Sequence, residues 1–145
     1  MLNDRHWGDK TEELAISISV PEASFKASDE IVLNIILKNF GLIPASIVVR
    51  SPWADYAFVP HNGHGQEVPM NQYGRKRAEA SLEGRKMTYD LQPGETRSEE
   101  FELSRSFKLE PGTYTLFVTR AFQLPGHSTA LRVKSNPITF HIVNE

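Results

Sequence analysis

From Leu14 onward the chain alternates between apolar and polar positions. Leu14, Ile16, Ile18 and Val20 fall on one side; Ala15, Ser17 and Ser19 fall on the other. A period of two is the mark of a strand, because successive side chains point to opposite faces. Pro21 ends the run by removing a backbone donor. After the polar break Ser28-Asp29-Glu30 comes the most apolar stretch, Ile31 to Lys38. Ile31, Leu33, Ile35 and Leu37 share one face, while Val32 and Ile36 add apolar surface to the other. Apolar residues on both faces predict a strand central in its sheet. The β-branched content and the turn residues at both ends favour a strand over a helix.

Asn39-Phe40-Gly41 reads as a turn, since Asn and Gly tolerate positive φ. A third strand follows at Ile47 to Arg50. Weaker strands at Thr88 to Leu91 and Glu100 to Leu103 flank a Pro-Gly turn, Gln92-Pro93-Gly94-Glu95. Thr113 to Phe122 alternates strongly. In the last stretch the parity shifts across Ser135-Asn136-Pro137, which predicts a bulge or break in an edge strand. Arg75 to Arg85 holds helix-tolerant residues, enough for one or two turns. Seven to eight short strands predict an all-β fold, an antiparallel immunoglobulin-like sandwich over residues 14–145. Its core is expected to include Ile16, Ile18, Leu33, Ile35, Leu37, Tyr114, Leu116 and Val118. Residues 1–13, polar and aperiodic, read as a flexible lead-in.

Two stretches carry a family resemblance. Residues 31–49, IVLNIILKNFGLIPASIVV, look like the B-to-C strand region of bacterial immunoglobulin-like adhesion-type modules. Residues 109–118, LEPGTYTLFV, are similar to the E–F corner of fibronectin type III and related sandwiches. That resemblance implies that the Tyr114 hydroxyl bonds back to backbone near Leu109 to Gly112. It implies a fold, and no functional residue comes with it.

A sandwich of this kind needs about 100 residues, and the chain has 145. The surplus lies mostly at 51–87, read here as a long insertion loop, with an extra edge strand at Tyr56 to Val59 as one reading. Long connections often carry function. Trp53, Tyr56, Phe58 and Tyr73 either form an aromatic platform for a sugar or a proline-rich peptide, or roof an open end of the sandwich. His61 and His64 stand three residues apart in a Gly-containing loop. Metal binding would need further ligands such as Asp55 or Glu67, and the second ligand pair of a zinc motif is absent, so no metal site is expected. Arg75, Lys76 and Arg77, with Arg85 and Lys86, form a basic cluster that is either a solvated face or a site for an acidic partner. The outer part, His61 to Arg85, is expected to be the most mobile internal stretch and the favoured contact surface.

Composition narrows the choice. The net charge is −2, from 16 Lys+Arg against 18 Asp+Glu, so no bulk electrostatic attraction to nucleic acid is expected. The absence of Cys removes disulfides, thiolate metal sites and cysteine nucleophiles. No apolar run reaches the roughly 18 residues of a membrane helix. Met1 to Trp7 has no apolar core region, so a cytoplasmic location is expected if the chain is complete; otherwise a leader has been removed. Nucleophile elbow, P-loop, dinucleotide and zinc-protease motifs are all missing, so no catalytic residue, cofactor or enzyme activity is expected. The leading expectation is a non-catalytic protein-interaction module with another protein as partner. The alternatives are a carbohydrate or small-ligand binder using residues 53–73, and an inhibitor-like protein that inserts its long loop into a cleft.

Overall fold

The computed structural model describes residues 6–8, 13–124 and 129–144. Three strands, β1 (Leu14–Ser19), β3 (Val32–Asn39) and β7 (Thr96–Glu102), form an antiparallel sheet in the order β1-β3-β7. The predicted strand at Ile31 to Lys38 is therefore central. Its register sets Ile16 opposite Leu37 and Ile18 opposite Ile35, so both apolar sets point the same way. A second sheet has the order β2 (Ser24–Lys26), β10 (Ile138–Val143), β8 (Gly112–Phe122), β5 (Ala57–His61), and β9 (Leu131–Lys134) also pairs with β8. A two-stranded ribbon of β4 (Ala45–Val49) and β6 (Met87–Leu91) completes the architecture. All pairings are antiparallel except β2 with β10. The molecule is an all-β antiparallel sandwich.

The expected core residues are all buried, and Phe25, Phe101, Phe107, Phe140 and Leu91 join them. The predicted corner forms as well: the Tyr114 hydroxyl donates to the Glu110 carbonyl oxygen at 2.7 Å. The parity shift near Pro137 is the gap between β9 and β10. There the Ser135 hydroxyl accepts from Val118 N–H at 2.9 Å and the Asn136 side chain turns inward.

The count rises to ten strands among the described residues, with β2 and β5 added, and 51–87 is not a long loop. It folds as α1 (Pro52–Asp55), β5, and α2 (Gln72–Glu83), and a third short helix, α3 (Leu103–Ser106), follows β7. Pro52 opens α1 where a missing N–H costs nothing. Asn71 caps α2 by accepting from Gly74 N–H at 2.9 Å. Gly74 also lets α2 press on α3, since a Cβ there would meet the Ser106 carbonyl oxygen at 2.9 Å. The stretch expected to be most mobile, 61–85, thus contains a twelve-residue helix.

The lead-in also differs where it is described. Trp7 packs edge-to-face on Phe40 at 5.2 Å, and Gly8 N–H donates to the Ile16 carbonyl at 3.0 Å. Residues 1–5 and 9–12 lie outside the described residues.

Candidate functional site

The aromatic residues expected to form an exposed platform are core residues. Trp53, Tyr56 and Phe58 are 8%, 4% and 8% exposed. Phe58 stacks on Phe101 at 3.8 Å, and Trp53 lies 5.0 Å from the same ring. The Trp53 indole N–H donates to Ser106 Oγ at 3.0 Å. Burial of these rings and pairing of the indole polar atom explain the arrangement: α1, its C-cap Tyr56 and β5 carry the three rings inward. Tyr73 is half-buried; its hydroxyl donates to Glu102 Oε1 at 2.7 Å and accepts from Arg77 at 2.7 Å. The Tyr73 hydroxyl, foremost, holds the Glu102 carboxyl below its ordinary range, with Arg105 and Arg77 adding to the effect.

The basic cluster divides. Arg77 lies over the Trp53 ring at 3.8 Å and fastens α2 to the core. Arg75 donates to the Met70 carbonyl oxygen at 2.5 Å, and Lys76 is exposed. His61 stacks near Phe117, with ring centroids 6.5 Å apart, and its backbone bridges to Glu67. His64 is exposed on a turn whose Asn62 Oδ1 accepts from His64 and Gln66 N–H groups. Among the described residues no three His, Cys, Asp or Glu side chains converge as a metal site would require.

The structure gathers chemistry elsewhere. Among the described residues β4 pairs only with β6, and the end of β8 beyond Thr119, where pairing with β5 stops, reaches it through Arg120, which donates to the Val48 carbonyl. A cleft of about 300 Å³ opens between these strands, lined by Ser46, Val48 and Arg50 on one wall, Ala121, Phe122 and Gln123 on the other, with Ala54, Asp55, Lys86 and Arg120 completing it. Arg120 forms its floor. The Arg120 side chain is 2% exposed, donates to the Val48 carbonyl at 2.9 Å, and lies 3.7 Å from Asp55 and 3.9 Å from Glu99. Its guanidinium also sits over Tyr56 at 4.9 Å and Phe122 at 5.0 Å. Asp55 Oδ2 accepts from the Arg50 backbone N–H at 2.9 Å.

Burial dominates the titration of this cluster. It raises the carboxyls of Asp55 and Glu99, and the Arg120 charge only partly offsets the effect. Burial also pushes the Tyr56 hydroxyl up to about 12. Arg120 Nη1, Glu99 Oε1 and Arg97 Nε are buried without a hydrogen-bond partner among the described residues.

Sequence reasoning passed over this cluster, although a signal was present. Arg120 has the parity of Tyr114, Leu116, Val118 and Phe122, and Arg97 and Glu99 share the parity of the buried Phe101. Opposite charges in the inward register of two facing strands predict a buried ion pair.

No family model matches the chain, and no characterised protein matches it in sequence. Its fold is similar to that of the C-terminal domain of Wzt, with a TM-score of 0.57 at 12% identity, over 97% of this chain and 78% of that one. A β-glucosidase from Listeria innocua, solved in complex with glucose, matches with a TM-score of 0.47 at 13% identity, over 90% of this chain and 16% of the enzyme. The first likeness is one of fold alone, an immunoglobulin-like β-sandwich. The second adds nothing on fold or function.

Proposed function

We propose that the domain is a non-catalytic binding module that seats a small polar ligand in the cleft between β4 and β8. The observation that carries this reading is the buried Arg120–Asp55–Glu99 cluster at the base of an open cleft. Buried ion pairs rarely stabilise a fold more than apolar residues of equal volume would. Perturbed carboxyls and unpaired buried polar atoms beside a concave surface are instead typical of binding sites. A wider groove of about 690 Å³ runs beside β1 and Asn136, but Asn136 is already engaged on both sides with Ile18.

Amide chemical-shift mapping with a panel of monosaccharides and small organic acids tests the reading. Shifts should cluster at Arg50, Lys86 and residues 121–123; a panel that perturbs none of them would remove the cleft as the site. One observation favours the protein-interaction reading as a second: Leu42 and Ile43, on the turn after β3, are 93% and 76% exposed. Side chains of this type so far out of the core suit contact with another protein.

A further inference from the structure

We infer that the ligand of the cleft is a small organic acid, held through one carboxylate by Arg50 and Lys86. The inference rests on the cleft reading above and adds the ligand's chemical class. Three cations and one carboxylate line the cleft: Arg50, Lys86 and Arg120 against Asp55. Arg120 Nη2 and Asp55 Oδ2 are occupied. Arg120 is bound to the Val48 carbonyl and paired with Asp55, and Asp55 accepts from the Arg50 backbone. The Arg50 guanidinium and the Lys86 ammonium have no hydrogen-bond or ion-pair partner among the described residues, and Arg50 is half-buried. Asp55 supplies a nearby negative charge but already pairs with Arg120, so the Arg50 donors are left without an acceptor that a bound carboxylate would supply.

The local fold brings these two charges together. Arg50 leaves the end of β4. Lys86 returns from α2, whose Ser81 hydroxyl is hydrogen-bonded to Ser51 at 2.5 Å. A guanidinium fork matches the planar geometry of a carboxylate. It also matches phosphate, but two features select against a dianion. Asp55 lines the cleft and Glu99 lies behind Arg120, and together they repel a second negative charge more strongly than a first. The helical residues in the lining, Ala54 and Asp55, come from the C-terminal end of α1, so no helix N-terminus faces the cleft. Val48, Ala121 and Phe122 supply an apolar flank for a hydrocarbon skeleton or the CH face of a sugar. A volume of about 300 Å³, on the order of ten waters, has room for a single ring within the cleft.

The test uses two matched pairs, D-glucuronate with D-glucose and benzoate with benzamide, and inorganic phosphate as a further probe. Each is titrated into the full chain and followed by amide shifts. At least one acid should shift Arg50, Lys86 and residues 121–123 and bind at least tenfold tighter than its neutral partner. Arg50→Gln and Lys86→Gln should each weaken it at least fivefold with the melting temperature unchanged, since neither side chain holds the fold. Equal binding of a neutral partner in the cleft would overturn the charge assignment and leave the cleft reading standing. Phosphate that competes on equal terms with the acid would overturn the carboxylate assignment. If no probe shifts the cleft signals, the inference and the cleft reading fall together.

Discussion

Asn39 makes a turn by hydrogen bonding rather than by conformational tolerance. It is 2% exposed. Its side-chain amide donates to the carbonyls of Ile43 and Leu91, each at 2.9 Å, and its Oδ1 accepts from Gly41 N–H at 2.8 Å. One buried side chain thus ties the turn after β3 to the end of β6. The sequence located the turn but attributed it to positive φ, which neither Asn39 nor Gly41 adopts. Asn39→Ala strands two carbonyls and an amide, and a loss of about 2–3 kcal/mol in denaturant unfolding is expected; a loss under about 0.5 kcal/mol would show that water replaces the side chain. Tyr114 was legible because its partner lies four residues away within one motif. The bond from Asn136 to Ile18 spans 118 residues, and no local pattern announces it.

Strands with strict alternation were found in place, because their burial follows period two; β1, β3 and β8 keep nearly the expected bounds. α2 was seen only as helix-tolerant residues. Its single buried residue is Gly74, so it shows no apolar stripe, and it is held by polar and cationic contacts instead. Tyr73, Arg77, Glu102 and Arg105 form that attachment, with Arg105 over the Tyr73 ring at 4.3 Å. Trp53 and Phe58 looked like a binding surface for the same reason: the helices that cover them could not be read from hydrophobic periodicity. Arg77→Ala removes the cation on Trp53 and the donor to Tyr73. A loss of about 1 kcal/mol is expected, together with faster trypsin cleavage after Arg75 and Lys76. Unchanged cleavage would show that α2 is held by other contacts.

Across the whole molecule, two polar clasps join the layers: Asn136 on β1 at one place, and Arg120 between β8, α1, β4 and β7 at another. The second clasp gives stability a pH dependence of a definite sign. Burial raises the Asp55 and Glu99 carboxyls, so the folded chain holds these protons more tightly than the unfolded chain. Their contribution is fully present below the ordinary carboxylate range and is lost as pH rises through the raised values. Glu95 and Glu102, lowered chiefly by the hydroxyls of Tyr89 and Tyr73, act in the opposite sense and lose their contribution as pH falls. Glu99→Gln deletes one of the raised groups. The melting temperature of the variant minus that of the wild type should therefore become more positive from about pH 4 to about pH 7. A flat difference would show that Glu99 titrates normally.

The first clasp has a consequence for crowded solutions. β1 is the last strand of its sheet, and such a strand offers unpaired backbone groups to any other chain that drifts past. Here the Ile16 carbonyl is taken by Gly8, and both backbone groups of Ile18 are taken by Asn136. Only a glycine fits at position 8, where a Cβ would stand 1.9 Å from the Lys134 carbonyl oxygen. A molecule with this border already filled has little to offer a neighbour there, so the β1 side of the sheet resists being extended by another copy.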